Sequence, residues 1–144
     1  MHNNTELGIS VPMYDAITEI KEAEEILKHM NNTFSDSLRY ILNYLGNITI
    51  SDLSKQTKIE TKTIRRYLKG ETTPNLERLL AICAELELYP SITKQLLEQA
   101  GIIIGKRGNE KDEIYLFLIE QCYHEGLESW NKRLKTVCEG EYLP

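Results

Sequence analysis

Apolar residues recur every three or four positions along almost the whole chain, and this helical spacing constrains the fold more than any other feature. Such spacing keeps the apolar side chains on one face of an α-helix. No stretch of useful length alternates apolar and polar residues as a half-buried β-strand would. Glycines and prolines lie at the ends of the periodic stretches rather than inside them. The sequence therefore predicts an all-α protein.

Capping residues, glycines and prolines set the boundaries of the predicted helices. These helices cover residues 12–30, 36–45, 50–57, 61–69, 76 to just before 89, 92–100, 111–123 and 127–137. The first has an apolar stripe that is expected to be covered within the chain, formed by Met13, Ala16, Ile20, Ala23, Leu27 and Met30. Aromatic side chains at helical spacing are expected in the core, namely Tyr40, Tyr44, Tyr115, Phe117 and Trp130.

The charge of the chain is unevenly distributed. Its net charge is −5, yet residues 47–78 carry seven basic and four acidic side chains. Both flanking regions, 1–30 and 79–144, are net acidic. A phosphate backbone would therefore be attracted to the centre of the sequence and repelled by its flanks.

Several functional classes receive no support from the residues. The three cysteines form no CxxC pair, and Cys122 with His124 lacks further ligands for zinc. No order of nucleophile, base and acid, and no phosphate-binding glycine loop, is present. We therefore expect no metal, no cofactor and no enzymatic activity. The chain has no apolar run near the roughly 18 residues of a membrane span, and a cytoplasmic location is expected.

The predicted helices 50–57 and 61–69, joined by a tight turn at 58–60, fit a helix-turn-helix unit. In such a unit the second helix enters the DNA major groove, and the first crosses the backbone and braces it. The helices must touch through apolar or small residues, which are Leu53, Ser54, Ile59, Ile64 and Tyr67. The outer face of the second helix must then carry polar and basic groups.

The outer face of the second helix supplies the candidate DNA contacts. Arginine suits the paired acceptors of guanine, and threonine can meet a thymine methyl group or a phosphate. The candidates for base contact are Thr61, Lys62, Arg65 and Arg66. The candidates for phosphate contact are Thr49, Ser51, Thr63, Lys69, Gly70, Thr72 and Thr73.

The run from Thr49 to Glu71 resembles the Xre/Cro-type phage-repressor family, and residues 73–83 resemble that family's next helix with its leading proline. The resemblance covers about residues 35–90. It implies a five-helix phage-repressor-like domain that acts as a sequence-specific transcriptional regulator, a repressor, on a double-stranded DNA operator as a homodimer. It also places Thr61, Lys62 and Arg66 at base-reading positions, with Arg65 adjacent.

The sequence departs from that family at three positions. Ile50 stands where glutamine is common, Lys58 where the turn usually has glycine, and Glu60 where a serine-like cap is common. If Lys58 is left-handed, a strain of roughly 1 kcal/mol is expected. Ile50, Glu60 and the net acidity favour an alternative function, a protein-interaction adaptor or antitoxin-like module that keeps the fold but binds a partner protein.

The sequence predicts that the chain is divided into three parts. They are an N-terminal helix at 1–34, the helix-turn-helix domain at 35–104 and a C-terminal helical extension at 105–144. The boundary at 105–111 is a glycine-containing linker whose Lys106-Arg107 pair is interpreted as linker charge. A protein partner could bind through the amphipathic helix 13–30 or through the C-terminal helices.

Overall fold

The computed structural model describes residues 11–105, 108–138 and 143, and within these residues every regular element is an α-helix. The pair Lys106-Arg107 lies outside the described residues. The helices are α1 (Val11–Leu27), α2 (Phe34–Leu45), α3 (Ile50–Thr57), α4 (Thr61–Lys69), α5 (Leu76–Glu85), α6 (Pro90–Gln99), α7 (Glu110–Gln121) and α8 (Leu127–Cys138). The predicted all-α class is confirmed.

Side-chain caps explain where the helices begin. Thr33 accepts a hydrogen bond from the Asp36 amide at the start of α2. Asn75 and Asn109 cap α5 and α7 in the same way. Each such bond satisfies one amide that has no partner within the helix. These short polar residues therefore determine where α2, α5 and α7 begin.

Helix α5 lies at the centre of the core. Its residues from Leu79 to Ala84 are all buried, and it packs against α3, α6 and α8. Continuous burial around the helix means that neighbours cover it on every side. The same hydrophobic cluster includes Ile26 from α1 and Trp130 from α8. The count of five helices that the resemblance implied for the domain is not matched. The described residues hold eight helices, and α1, α7 and α8 share this core.

Hydrogen bonds fasten α1 and its following loop to the rest of the protein. The hydroxyl of Tyr123 donates to the Glu19 carboxylate at 2.6 Å, and the hydroxyl of Tyr89 donates to Glu22. The side-chain amide of Gln99 donates to the backbone carbonyl of Met30 at 2.9 Å. These bonds complement the burial of apolar side chains on the inner face of α1.

Two expectations about the core are corrected by the structure. Ile20 of α1 is 57% exposed, and Ile26, outside the predicted stripe, is buried instead. Phe117 is 53% exposed and Tyr44 is 44% exposed, although Tyr115 and Trp130 are buried as expected. The stripe was extended through Met30, which lies beyond the end of α1 at Leu27. Among the described side chains of α1, the stripe is covered only toward the end of the helix, where Ala23 is buried and Leu27 is half-buried.

Candidate nucleic-acid interface

The start of α3 is fixed by a reciprocal pair of hydrogen bonds. The Asp52 amide donates to the Thr49 hydroxyl at 3.0 Å, and the Thr49 amide donates to the Asp52 carboxylate at 3.3 Å. This capping box satisfies two amides at once. The pair occurs here with aspartate at the third helical position, where glutamate is more usual. It determines where the first helix of the helix-turn-helix pair begins.

The turn between α3 and α4 contains a left-handed residue. Lys58 has φ 62° and ψ 21°, and its amide donates to the Ser54 carbonyl at 2.8 Å. The Ser54 hydroxyl donates to the Ile59 carbonyl, and the buried Thr57 hydroxyl accepts from the Ile59 amide at 3.3 Å. These bonds attach the turn that leads into α4 to the last residues of α3. Lys58 therefore meets the condition under which backbone strain was expected.

The apolar and the basic side chains of α4 lie on different faces of the helix. Ile64 and Tyr67 are buried three residues apart, toward α2 and α3. The candidate base-contacting residues lie elsewhere on the helix, with Thr61 half-buried and the other three exposed: Lys62, Arg65 and Arg66. A helix presented in this way offers its basic side chains to an external surface.

The last turn of α4 is bound to α2. Gly70 is left-handed at φ 78°, and the amide of Glu71 donates to the Arg66 carbonyl at 3.0 Å. A Cβ atom at Gly70 would lie 3.1 Å from the Ser35 hydroxyl, so a larger residue would be both strained and crowded. The Arg39 guanidinium donates to the Leu68 carbonyl at 2.9 Å. Glycine and arginine together fix the C-terminal end of α4.

The candidate phosphate-contacting residues lie at the start of α3, within α4 and directly after it. Thr63 is half-buried, and the others are exposed: Thr49, Ser51, Lys69, Gly70, Thr72 and Thr73. The Thr49 hydroxyl already accepts a bond within its capping box, so a further contact would use its remaining donor. The role of each of these residues in DNA binding stays a prediction.

One acidic side chain lies close to the exposed basic residues. The Arg66 Nε atom is 4.0 Å from a carboxylate oxygen of Glu71, and both side chains are about half exposed. An exposed pair of this kind is weak, since water screens the two charges. Arg66 therefore stays available to an external anion.

Comparison with known proteins identifies part of the chain. A model of the Cro/C1-type HTH DNA-binding domain matches residues 45–91. Residues 45–91 are a Cro/C1-type helix-turn-helix domain. No curated protein and no solved structure matches the chain significantly.

The Cro/C1-type segment begins at the end of α2 and reaches the first turn of α6. It includes α3, the Lys58 turn and α4, and also α5, which forms much of the core. The resemblance to the Xre/Cro-type family inferred from the sequence is confirmed for these residues. The segment therefore has the helix order of that domain, and helices outside the match cover its apolar side.

Two contacts of the Cro/C1-type helix α4 were missed by sequence reasoning. One is the Arg39 bond to Leu68, which comes from a residue outside the matched segment. The other is a long hydrogen bond of 3.4 Å from the Arg78 guanidinium to the Tyr67 hydroxyl. Both residues act on α4 from other helices, so no local spacing indicates them. They help to orient the Cro/C1-type helix rather than adding to its outer surface.

The departures from the family pattern have visible consequences. Ile50 is half-buried against the core, so it supplies no polar brace at the start of α3. Glu60 precedes α4 without a side-chain cap and is exposed. Among the described residues no group of three metal-binding side chains occurs, and no described helix is long and apolar enough to cross a membrane. The Cro/C1-type segment thus keeps its backbone frame although three family positions have changed, which are Ile50, Lys58 and Glu60.

Proposed function

We propose that the protein is a sequence-specific, DNA-binding transcriptional regulator, a repressor, in which α4 lies in the DNA major groove. The observation that carries the proposal is the two-sided arrangement of α4. Ile64 and Tyr67 are buried on one side, whereas Lys62, Arg65 and Arg66 are exposed. The major groove admits one helix, and arginine can donate two hydrogen bonds to guanine.

The ends of α4 support the same orientation. The exposed threonines before α5, Thr72 and Thr73, can donate to phosphate oxygens, as can Lys69. Contacts of this kind fix the register of a protein on the duplex without reading its sequence. Base reading is then assigned to Thr61, Lys62, Arg65 and Arg66, which occupy the first two turns of the helix.

A homodimer would place two copies of α4 at the spacing of two operator half-sites. Two copies related by a two-fold axis would read half-sites about 34–36 Å apart, one turn of DNA. Repression would follow from occupying the operator, a step that requires binding and no catalysis. The expected cytoplasmic location belongs to the same proposal, because the regulator must reach its DNA.

Selection of bound sequences from a randomised duplex pool tests sequence-specific binding. The selected site should contain two related half-sites spaced by about one helical turn. Affinity for that site should fall as salt rises, by a logarithmic slope of about 0.9 for each phosphate contacted. A pool that remains random after repeated rounds would contradict the proposal.

Matched variants locate the interface. Lys62→Ala should weaken binding to the selected duplex, whereas Lys135→Ala should not, since Lys135 is an exposed lysine of α8 outside the matched segment. Equal losses in both variants would show that only general charge matters. Circular dichroism of each variant checks that the fold is retained.

The protein-interaction adaptor is the second candidate function. Exposed Glu60 at the start of α4 and the apolar Ile50 at the start of α3 favour it, because neither helps to hold a phosphate backbone. An adaptor would not be retained on duplex DNA even at low salt. Binding to duplex DNA at the lowest salt concentration therefore distinguishes the DNA-binding regulator from the adaptor.

A further inference from the structure

A groove away from α4 runs between α1, the end of α2 and the loop joining α5 to α6. Its volume is about 450 Å³. This is within the range of roughly 300–1,000 Å³ that small-molecule sites occupy. Its aliphatic lining residues are Ile26, Leu45, Ile48, Leu86, Leu88 and Ile92. We call this feature the α1–α2 groove.

The charged side chains that line the α1–α2 groove are all acidic. Glu22, Glu85 and Glu87 contribute three carboxylates, and the described lining contains no lysine, arginine or histidine. Glu22 comes from α1, whereas Glu85 and Glu87 come from the end of α5 and the loop after it. The carboxylates therefore come from two separate elements of the groove, and Glu22 accepts a hydrogen bond from Tyr89.

Two tyrosines complete the groove. Tyr44 lines it with a ring that is 44% exposed, and Tyr89 lines it with a ring that is buried. Burial and then the charge of Glu22 raise the pKa of Tyr44. Aromatic faces attract cations, and they do so more strongly where water is partly excluded. The groove thus combines apolar surface, aromatic rings and negative potential.

The ionised form of Glu85, at the end of α5, is destabilised by its surroundings. Burial raises the pKa of Glu85, and the nearby charge of Glu87 raises it further. A cation bound in the groove would offset the repulsion between Glu85 and Glu87, whereas an anion would increase it. The charge of the site therefore discriminates between ligands of the same shape.

We propose that the α1–α2 groove binds a lipophilic monocation, a small molecule with an apolar aromatic body around one positive charge. The apolar body contacts the aliphatic floor and Tyr44. The positive charge is attracted by the three carboxylates of the lining, those of Glu22, Glu85 and Glu87. This site is separate from α4 and does not depend on the proposed DNA binding.

Calorimetric titration of the full chain with tetraphenylphosphonium and with tetraphenylborate tests the proposal. The two ions have nearly the same size and shape and carry opposite charges. The cation should bind with one-to-one stoichiometry and at least about tenfold more tightly than the anion, because opposite charges attract at short range in a partly buried site. Equal affinity for the two ions, or binding of neither, would overturn the proposal.

Matched variants place the ion in the groove. The double variant Glu85→Gln/Glu87→Gln keeps side-chain shape and should weaken cation binding by about tenfold. Glu98→Gln, an exposed change on α6 outside the groove, should leave it unchanged. Methyl resonances of Ile48 and Ile92 should shift on titration in the unmodified protein. Unchanged affinity in the double variant, or shifts confined to other methyl groups, would overturn the assignment.

Discussion

The guanidinium of Arg39 donates a hydrogen bond from Nη1 to the backbone carbonyl oxygen of Leu68 at 2.9 Å. The bond connects α2 to the last turn of α4, which is where a helix leaves carbonyls without internal partners. The same guanidinium pairs with Asp36 one turn earlier in α2. Arg39 therefore fixes the end of the helix that we propose to read DNA.

Arg39→Ala should lower the free energy of unfolding by about 1 kcal/mol, the usual net value of a hydrogen bond. It should also weaken binding to the selected duplex, since α4 loses one of its anchors. Lys28→Ala is a matched control, because Lys28 makes a similar exposed i,i+3 pair with Glu25. Chemical denaturation and fluorescence anisotropy measure the two effects. An Arg39 variant that behaves like the control would refute this role.

Lys58→Gly should leave the melting temperature unchanged or raise it. Lys58 has φ 62°, a conformation in which a side chain costs roughly 1 kcal/mol and glycine costs little. The greater freedom of glycine in the unfolded chain offsets part of that gain. Lys55→Gly, inside α3, should instead lower the melting temperature. A clear loss for Lys58→Gly would contradict the argument from backbone strain.

Arg66→Ala should cost on the order of 1–3 kcal/mol in binding to the selected duplex and relax the preference at one base pair. The reason is that a bidentate contact to guanine is lost together with its discrimination. Binding measured against a set of single-base variants of the site checks both effects. A uniform loss across all sequences would make Arg66 a phosphate contact instead.

Glu71→Gln should tighten DNA binding by up to about fivefold, which corresponds to the upper range of an exposed ion pair. The substitution frees Arg66 from a carboxylate 4.0 Å away and removes a negative charge near the phosphates. Glu98→Gln, the same change on α6, serves as the control. Unchanged or weaker binding of the Glu71 variant would show that the pair does not restrain Arg66.

The pH dependence of stability should reveal the Glu125–Arg133 contact. The Arg133 guanidinium donates two hydrogen bonds to the Glu125 carboxylate at 2.8 and 2.9 Å, and Ser129 donates a third at 2.8 Å. These bonds lower the pKa of Glu125 to about 2. Because the folded-state pKa lies below the unfolded value near 4.3, the contact stabilises the fold above that value. The contribution is lost as pH falls toward about 2.

Glu125→Gln should therefore lower the melting temperature at pH 6, and the difference from the unmodified protein should shrink toward pH 2. Thermal unfolding followed at several pH values measures this trend. Glu128→Gln is the control, since its exposed i,i+4 pair with Lys132 is 3.6 Å long and easily screened. A melting difference that does not vary with pH would rule out the carboxylate charge as the cause.

The helix-turn-helix unit could be predicted from the sequence because its signals are local. Thr49 and Asp52 mark the start of α3, and Gly70 marks the end of α4, so the predicted bounds 50–57 and 61–69 match the structure. The inward positions Ile64 and Tyr67 follow from spacing alone. Each of these features depends on residues within a few positions of one another.

Some boundaries were missed although a signal was present. Helix α2 begins at Phe34 rather than Asp36, because Thr33 caps it through the Asp36 amide. Helix α6 begins at Pro90 rather than Ile92, and proline is favoured in the first helical turn. In both cases a polar or proline residue was interpreted as the end of the preceding segment.

Other features could not be predicted because they depend on packing between distant parts of the chain. Arg39 and Leu68 are 29 positions apart, and nothing in the spacing of either helix indicates their bond. The exposure of Phe117 depends on how α7 meets its neighbours, and an apolar pattern does not determine that arrangement. The DNA-contacting roles of the candidate residues stay predictions for the same reason, since they depend on a partner molecule.

The contact between Gln99 and Met30 has a practical consequence. Ile26 and Met30 precede residue 45, yet they are buried in the same cluster as α5 and α6. A fragment trimmed to residues 45–91 would open its interior to water along this side and would tend to aggregate. Operator recognition is therefore best studied with the whole polypeptide.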